Sequence, residues 1–290
     1  MTVAATPAAI AAAIKACAAA CVITLTPGTY AELQLSELSP LPQQVTLDLT
    51  GSTFGFVDIE HVSNLTIVGG TVSKGNQWGY CWDVDFSSNI VLKGGTANQC
   101  AAAGWTLNRS TNLSVIDWTL TANGCDGVDV AGVSGFTVTG GKESGYVSGS
   151  ACHADLVQIW SMAGYETQNG VISNNSVVST DGVDADGKSR GTQGIDAWND
   201  NGPNGGSFPI DNITVTGNIL SLHGESCVSM ISVTHLTATG NSCTNNQPEP
   251  WASKYEWTGS SGTIGPNLLD GKSIVGVASS PGPTAANVAP

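Results

Sequence analysis

The segment NLTIVGGTV, which begins at Asn64, has a pattern of residues that recurs six more times along the chain. The other segments are NIVLKGGTA, NLSVIDWTL, GFTVTGGKE, NGVISNNSV, NITVTGNIL and HLTATGNSC, which begin at Asn89, Asn112, Gly135, Asn169, Asn212 and His235. Successive starts lie 25, 23, 23, 34, 43 and 23 residues apart. Apolar and polar residues alternate within the segments, as in strands with one buried face. The sequence therefore predicts stacked short repeats, two of which carry insertions.

Glycine or asparagine follows nearly every one of these strands, at the position where the chain must turn. Both residue types accept positive φ with little strain. The last three turns place asparagine at an equivalent position, at Asn175, Asn218 and Asn241. We expect these side chains to form a hydrogen-bonded ladder from coil to coil.

Composition excludes several classes of protein. Only 11% of the residues are charged and 36 are glycine, so an all-α architecture is excluded. The net charge of −14 argues against nucleic acid and anionic membranes as partners. The sequence shows neither a membrane span nor a secretory signal peptide, and we expect a secreted, periplasmic or phage-surface protein without membrane insertion. Its oligomeric state is left open.

The eight cysteines favour an oxidising compartment. None lies in a CxxC pair, and Cys17 and Cys21 lack the partners that a zinc site requires. Disulfides between neighbouring strands, such as Cys100 with Cys125, are one expectation, and buried free thiols are the alternative.

Over residues 22–246, the repeats and their glycine or asparagine corners resemble the right-handed parallel β-helix superfamily. This superfamily includes pectate lyases, polygalacturonases, mannuronan epimerases and many phage tailspikes. The resemblance implies an all-β, single-stranded right-handed parallel β-helix. We expect a capping helix in residues 1–21, with Thr6 as N-cap and a helical segment to about Ala20. Residues 247–290 lose the repeat and are predicted to form a C-terminal cover or extended tail.

A second strand aligns in each coil, and its polar positions form two columns. The first column comprises Asp83, Thr106, Asp129, Gln158, Asp196 and Ser229, and the second comprises Asp126, Asp155, Gln193 and Ser226. Adjacent coils are ~4.8 Å apart, so these side chains predict a continuous polar stripe. Stacked carboxylates repel one another unless a proton, cation or substrate offsets the charge, which favours a functional role. A solvated face whose aspartates bind local backbone N–H groups is the alternative.

The segment CHADLVQIW, residues 152–160, resembles an HPDGIQFW-type segment of bacterial β-helix proteins, many of them presumed to act on polysaccharides. We expect His153, Asp155 and Gln158 to face the groove. Carboxylates near His153 would raise its pKa and make it a candidate general acid or base. A structural histidine bonded to a turn carbonyl is the alternative.

The two insertions flank the acidic stripe and supply further candidates. Lys188 and Arg190 are two of only nine cations in the chain. Trp160 and Trp198 are candidates for stacking on sugar rings, whereas core packing is the expectation for the tryptophans of earlier coils. The sequence DADG contains Asp184 and Asp186 and suggests a Ca²⁺ site, although it lacks the complete spacing of an EF-hand. No other cofactor is expected.

The leading functional prediction is an enzyme that cleaves a polysaccharide in a groove along the β-helix, with an acidic glycan as the favoured substrate. In β-elimination, Lys188 or His153 would act as base and Arg190 would stabilise developing charge. In inverting hydrolysis, Asp129 would work with Asp155 or Asp196. The predicted substrate-binding residues are Asp83, Asp126, Gln158, Trp160, Gln193 and Trp198. The resemblance favours a lyase, and the acid-rich stripe favours a hydrolase. Epimerisation, or glycan binding by a non-catalytic tailspike-like protein, also remains open.

Overall fold

The computed structural model describes residues 1–17, 19–36, 41, 43–121, 124–144, 154–178, 193–198, 208–222, 226–245 and 254–278. These residues form a right-handed parallel β-helix whose strands pair with the strands one coil away. The predicted fold class is therefore confirmed. Among the described residues, no helix has both the length and the apolar character needed to cross a bilayer.

The N-terminal part contains a short strand, one helix and the first coils. Its elements are β1 (Thr2–Val3), α1 (Pro7–Ala16), β2 (Cys21–Leu25), β3 (Thr29–Ser36), β4 (Val45–Asp48) and β5 (Thr53–Glu60). The Thr6 side chain caps α1 by accepting a hydrogen bond from the Ala9 N–H at 3.3 Å. Ile10 and Ile14 on α1 belong to the hydrophobic core. The helix therefore closes this end of the core, as the sequence predicts.

Helix α1 ends at Ala16, earlier than the predicted end near Ala20. The next residue, Cys17, has extended backbone and forms a disulfide with Cys21, the first residue of β2. The chain must leave the helix before Cys21 because β2 already pairs with β1 and β4 there.

The central coils repeat a set of three strands. They comprise β6 (Ser63–Val68), β7 (Thr71–Ser73), β8 (Tyr80–Asp85), β9 (Ser88–Lys93), β10 (Thr96–Asn98), β11 (Ala103–Asn108), β12 (Thr111–Ile116), β13 (Thr119–Thr121), β14 (Asp126–Ala131), β15 (Ser134–Thr139), β16 (Lys142–Ser144), β17 (Asp155–Trp160), β18 (Thr167–Ser173) and β19 (Ser176–Val178). Each coil ends in a short third strand, which follows the glycine or asparagine corner. The sequence alignment has two strands per coil and does not distinguish this third strand from the second.

The C-terminal coils continue the same order. They comprise β20 (Gln193–Trp198), β21 (Ile210–Thr216), β22 (Ile219–Leu222), β23 (Ser226–Ile231), β24 (Val233–Thr234), β25 (Leu236–Thr239), β26 (Ser242–Asn245), β27 (Lys254–Glu256), β28 (Gly262–Leu269) and β29 (Lys272–Ala278). Parallel pairing continues beyond residue 246, because β27 pairs with β23 and β28 pairs with β25 and β26. The final strand, β29, is antiparallel to β28.

The strands form three parallel sheets. Sheet 1 contains β3, β5, β8, β11, β14, β17, β20, β23 and β27. Sheet 2 contains β2, β4, β6, β9, β12, β15, β18, β21, β25 and β28. Sheet 3 contains β7, β10, β13, β16, β19, β22 and β26.

Large apolar side chains fill the space between the sheets. Trp82 and Trp105 stack from adjacent strands of sheet 1, with ring centroids 6.5 Å apart, and Trp118 meets Trp105 edge-on at 5.3 Å. All three are at most 1% exposed, so they pack in the core. Burying an apolar side chain of this kind stabilises the fold by ~1.5–3 kcal/mol. Stacking of the coils therefore supplies a core that no single repeat could form.

Two asparagine ladders connect the coils. In the buried ladder, Asn175, Asn218, Asn241 and Asn267 pass amide hydrogen bonds from coil to coil at 2.8–3.0 Å. The predicted ladder is thus confirmed, and Asn267 extends it. A second, exposed ladder joins the repeat starts Asn64, Asn89 and Asn112 at 3.0 Å. These three residues have φ between 55° and 57°, a left-handed conformation that asparagine tolerates better than most residues.

All cysteines that the structure describes are disulfide-bonded. Besides Cys17–Cys21, the bonds join Cys81 to Cys100 and Cys227 to Cys243. Cys125 is disulfide-bonded as well. The expected pair Cys100–Cys125 is wrong, because Cys100 joins Cys81 at the other end of the same turn. The alternative of free thiols does not hold for these residues.

Candidate functional site

The outward side of sheet 1 carries the polar column that the sequence predicts. Consecutive register partners are Asp83, Thr106, Asp129, Gln158, Asp196 and Ser229. The column extends further at both ends, since Asp58 pairs with Asp83 and Glu256 pairs with Ser229. Strand pairing therefore aligns these side chains along the axis of the β-helix.

The second column lies three residues earlier and points to the same side. In β17, Leu156 and Val157 are both fully buried in the core, so the strict alternation of inward and outward side chains is interrupted between them. Asp155 and Gln158 consequently both lie on the outer side, and Gln158 Nε2 donates to Asp155 Oδ2 at 3.1 Å. The Asp155 N–H also donates to Asp126 Oδ1 at 2.8 Å. His153, which is predicted to share this face, lies outside the described residues.

The central part of the two columns is buried. We call Asp126, Asp129 and Asp155 the buried carboxyl cluster, and these residues are 8%, 6% and 1% exposed. Burial, followed by the charges of Asp126 and Asp155, raises the pKa of Asp129 well above its ordinary range. Asp129 Oδ1 has no hydrogen-bond partner among the described residues. Burial and the neighbouring charges therefore favour the protonated form of Asp129, and the whole cluster is shielded from solvent. Asp196, at 6% exposure, is buried as well.

A fourth carboxyl group near this cluster lies inside the β-helix. Glu143 in β16 pairs in register with Leu120 and Val177, which are both core residues, and it is itself 4% exposed. Burial, followed by the charge of Asp126, raises the pKa of Glu143 to about 8. Glu143 Oε2 has no hydrogen-bond partner among the described residues. Glu143 is therefore mainly protonated at neutral pH.

The N-terminal end of the first column is open to solvent. We call Asp58 and Asp83 the open carboxyl pair; they face each other on adjacent strands and are both partly exposed. Burial, followed by the charges of Asp83 and other nearby carboxylates, raises the pKa of Asp58 to about 6. Asp83 accepts hydrogen bonds from Thr106 Oγ1 at 2.7 Å and Asn108 Nδ2 at 3.4 Å. These bonds favour the charged form of Asp83 and partly offset the increase in its pKa that burial causes.

Aromatic side chains border this open region where sheet 1 turns into sheet 2. Phe86 stacks on His61 at 5.2 Å between ring centroids and meets Tyr165 edge-on at 6.2 Å. The Arg109 guanidinium lies 4.2 Å above the Phe86 ring and forms a two-point ion pair with Asp85. A cation over a ring and a bidentate carboxylate pair both restrict motion. These contacts therefore hold the side chains of this corner in place.

Trp78 lies at the opposite edge of the open region, just before β8, and is 69% exposed. Asn76 Oδ1 accepts hydrogen bonds from the N–H groups of Trp78 and Tyr80, at 2.9 and 3.1 Å. The turn therefore presents an exposed indole just before β8, the strand that carries Asp83.

The remaining predicted site residues fall into three groups. Trp198 is 52% exposed at the end of β20, and Trp160 is partly exposed at the end of β17. Gln193 and Ser226 are buried. Lys188, Arg190, Asp184 and Asp186 lie outside the described residues, so Ca²⁺ binding and the cationic roles stay predictions. Within the described part of the chain, no group of three or more His, Cys, Asp or Glu side chains could hold a metal ion.

Asp58 and Glu143 are not among the residues predicted from the sequence, although each is marked by a pattern in it. The string VDIE at residues 57–60 repeats the alternation of WDVD at residues 82–85, so the alignment could have started one coil earlier. In the third strands, Glu143 stands where neighbouring coils have alanine, leucine or valine. The corner of His61, Phe86 and Tyr165 has no such signal, because Tyr165 comes from a distant coil.

Comparison with known proteins supports the fold alone. No protein-family model matches the chain, and no curated protein matches it. Among solved structures, the A-module of mannuronan C-5 epimerase AlgE6 from Azotobacter vinelandii is similar at 15% identity and a TM-score of 0.59, covering 91% of this chain and 72% of that one. The ORF18 protein of Geobacillus virus E2 is similar at 9% identity and a TM-score of 0.54, covering 92% and 61%. A double mutant of the tailspike of E. coli bacteriophage HK620 is similar at 16% identity and 0.52, covering 90% and 58%. The chain thus spans about six-tenths of the two viral proteins.

Proposed function

We propose that this protein binds a polysaccharide on the outward side of sheet 1 and hydrolyses it with the open carboxyl pair. The observation that carries the proposal is the register of Asp58 with Asp83 on adjacent, partly exposed strands. The similarity of the fold to a module named for mannuronan supports a glycan as the ligand class.

The two carboxyl groups have environments that suit different roles. Asp58, with a pKa of about 6, keeps a proton in mildly acidic solution and acts as general acid toward the glycosidic oxygen. Asp83 receives two hydrogen bonds that favour its charged form, and it acts as the nucleophile. Its oxygen bonds to the anomeric carbon as the glycosidic C–O bond breaks. Water then releases the sugar while Asp58 takes back a proton.

The spacing of the pair fits a retaining mechanism. Adjacent strands are ~4.8 Å apart, close to the ~5–5.5 Å between the carboxyl groups of retaining glycosidases and below the ~6.5–9.5 Å of inverting ones. Inversion by Asp129 with Asp155 or Asp196 stays a prediction, and it needs access to groups that are at most 6% exposed here.

β-Elimination is the competing chemistry. It depends on His153, Lys188 and Arg190, which lie outside the described residues. Among the described residues, Arg109 is the cation whose charge lowers the pKa of Asp83. Its guanidinium is already paired with Asp85. The open carboxyl pair therefore supports hydrolysis better than elimination.

The disulfides support action outside a reducing cytosol. Cys81–Cys100 and Cys227–Cys243 close turns of the β-helix, and such bonds persist in secreted, periplasmic or particle-surface proteins. A secreted or surface location agrees with a polysaccharide substrate.

The test is to incubate the protein with neutral, acidic and amino polysaccharides and to follow reducing ends and ultraviolet absorbance together. We expect reducing ends without new absorbance, and their loss in Asp58→Asn and Asp83→Asn. Asp117→Asn, an exposed change at the corner between sheets 2 and 3, is the matched control and should retain full activity. New absorbance would identify a lyase instead, and the absence of turnover on the whole panel would contradict the enzymatic proposal.

A further inference from the structure

Aromatic side chains line one edge of sheet 1 over several coils. We call this set the aromatic row: His61, Phe86, Tyr165, Trp160 and Trp198. Phe86, Tyr165 and Trp198 are 37%, 39% and 52% exposed. Phe86 follows β8 and Trp198 ends β20, so four strand steps of ~4.8 Å separate their coils along the axis. The row therefore runs parallel to the axis of the β-helix and beside the first polar column.

The backbone at this corner favours glycine, yet aromatic residues occupy it. His61 and Phe86 have φ of 56° and 46°, and the equivalent positions of other coils hold Gly132 and Gly259 with φ of 65°. A bulky residue in the left-handed region costs free energy, and such strain is commonly found at functional sites. The exposed position of Phe86 means that core packing does not explain its presence there.

A glycine makes room for Tyr165 in the row. A Cβ atom on Gly132 would lie 2.6 Å from Tyr165 Cβ, so the absence of a side chain at this position leaves room for Tyr165. Tyr165 in turn contacts Phe86, and the stack of His61, Phe86 and Arg109 orders the other end. A preordered row loses little conformational entropy when a ligand binds.

The charges beside the row select against an anionic ligand. Five carboxylates, Glu32, Asp58, Glu60, Asp83 and Asp85, act together at the open end of the column. Arg109 is already neutralised by Asp85. The other four of these carboxylates would repel a uronate polymer, whereas uncharged sugars can donate hydroxyl hydrogen bonds to the carboxylates and place their apolar C–H faces on the rings.

We propose that the ligand of this face is an uncharged polysaccharide that runs along the β-helix axis, with its sugar rings against the aromatic row and its hydroxyl groups toward the open carboxyl pair. The inference rests on the proposed function for the site, and it narrows the substrate class away from the acidic glycan that the sequence favours.

The experiment measures binding by calorimetry to soluble neutral glucans and mannans, to uronate polymers, and to chitosan. Asp83→Asn protein is used so that the polymers stay intact. We expect a neutral polymer to bind most tightly, with an affinity that changes less than twofold between about 0.15 M and about 1 M salt, because no ion pairs form. Tightest binding to a uronate polymer, or to chitosan with strong salt sensitivity, would overturn the inference.

Variants of the row provide the second measurement. Tyr165→Ala and Trp198→Ala should each weaken binding about tenfold, in line with one lost aromatic contact. Ile219→Ala removes a side chain that is 60% exposed on sheet 3 and should leave binding unchanged. Equal affinities for all three variants would overturn the inference. Binding of a neutral polymer without cleavage by the unmodified protein would contradict only the proposed hydrolysis, and hydrolysis of a uronate polymer would contradict only the inference.

Discussion

Glu143 lies in register with Leu120, so a carboxyl group occupies an inward position of sheet 3. Its pKa of about 8, against 4.5 for an unperturbed glutamate, means that the folded chain keeps a proton that the unfolded chain releases. The stabilisation is complete below about pH 4.5 and is lost as the pH rises to about 8, at ~1.4 kcal/mol per pH unit. Asp129 acts in the same direction.

Replacing this carboxyl group should therefore flatten the pH dependence of stability. Glu143→Gln is expected to be more stable than the unmodified protein at pH 8 and similar at pH 5, as measured by denaturant unfolding. Glu166→Gln changes an exposed glutamate and serves as control. An unchanged slope in Glu143→Gln would show that other groups cause the pH dependence.

The open carboxyl pair predicts a pH optimum below neutrality. Asp58 must be protonated to donate to the leaving oxygen, and its pKa is about 6. We expect kcat/KM to fall tenfold per pH unit above that value, because the fraction of protonated Asp58 falls in the same proportion. A plateau that extends to pH 8 in a rate profile would contradict the assignment of Asp58 as general acid.

Thr106 is expected to set the position of the acidic limb of the pH–rate profile. Its hydroxyl donates to Asp83 at 2.7 Å and stabilises the charged form. Thr106→Val removes that bond with little change in volume, so the pKa of Asp83 should rise and the acidic limb should move to higher pH. The basic limb, which Asp58 controls, should stay in place. Movement of both limbs together would indicate a general structural effect instead.

The buried asparagine ladder should contribute strongly to stability. Asn218 Oδ1 accepts hydrogen bonds from the Asn175 backbone at 3.1 Å and from its side chain at 3.0 Å, and all these groups are buried. Asn218→Ala leaves the Asn175 backbone N–H unsatisfied and removes one of the two hydrogen bonds that Asn175 Nδ2 donates, and we expect a loss of ~2–4 kcal/mol. Asn112→Gly, in the exposed ladder, should cost less than ~1 kcal/mol because Gly135 has the same conformation in the next coil. Thermal or denaturant unfolding checks both values.

Gly141 is required for the close approach of a core tryptophan. A Cβ atom at this position would overlap the indole ring of Trp118. Gly141→Ala should therefore destabilise the fold by ~1–3 kcal/mol or more. Gly164 has a φ of +82° but nothing within 4 Å of its added Cβ, so Gly164→Ala tests backbone strain alone. Similar unfolding midpoints for the two variants would exclude the proposed clash.

The repeat was sufficient to predict the fold class, the outward columns and the buried ladder, because each is a periodic feature of neighbouring coils. Strand register aligns Asp83 with Thr106 and Thr106 with Asp129, and this alignment involves neighbouring coils alone. The pairing of Cys100 was not predictable in this way. Cys81 lies in the same turn as Cys100, whereas Cys125 follows in the next turn, and only the path of the chain selects Cys81.

Strand alternation and the repeat were enough to predict which residues stack, since they place equivalent positions of neighbouring coils above one another. Which of the stacked carboxyl groups are exposed to solvent became clear only from the three-dimensional structure. Asp58 and Asp129 occupy the same column, yet Asp58 is partly exposed and Asp129 is buried. Periodicity sets the direction of a side chain relative to the core, whereas its exposure and its pKa depend on the groups that surround it in three dimensions.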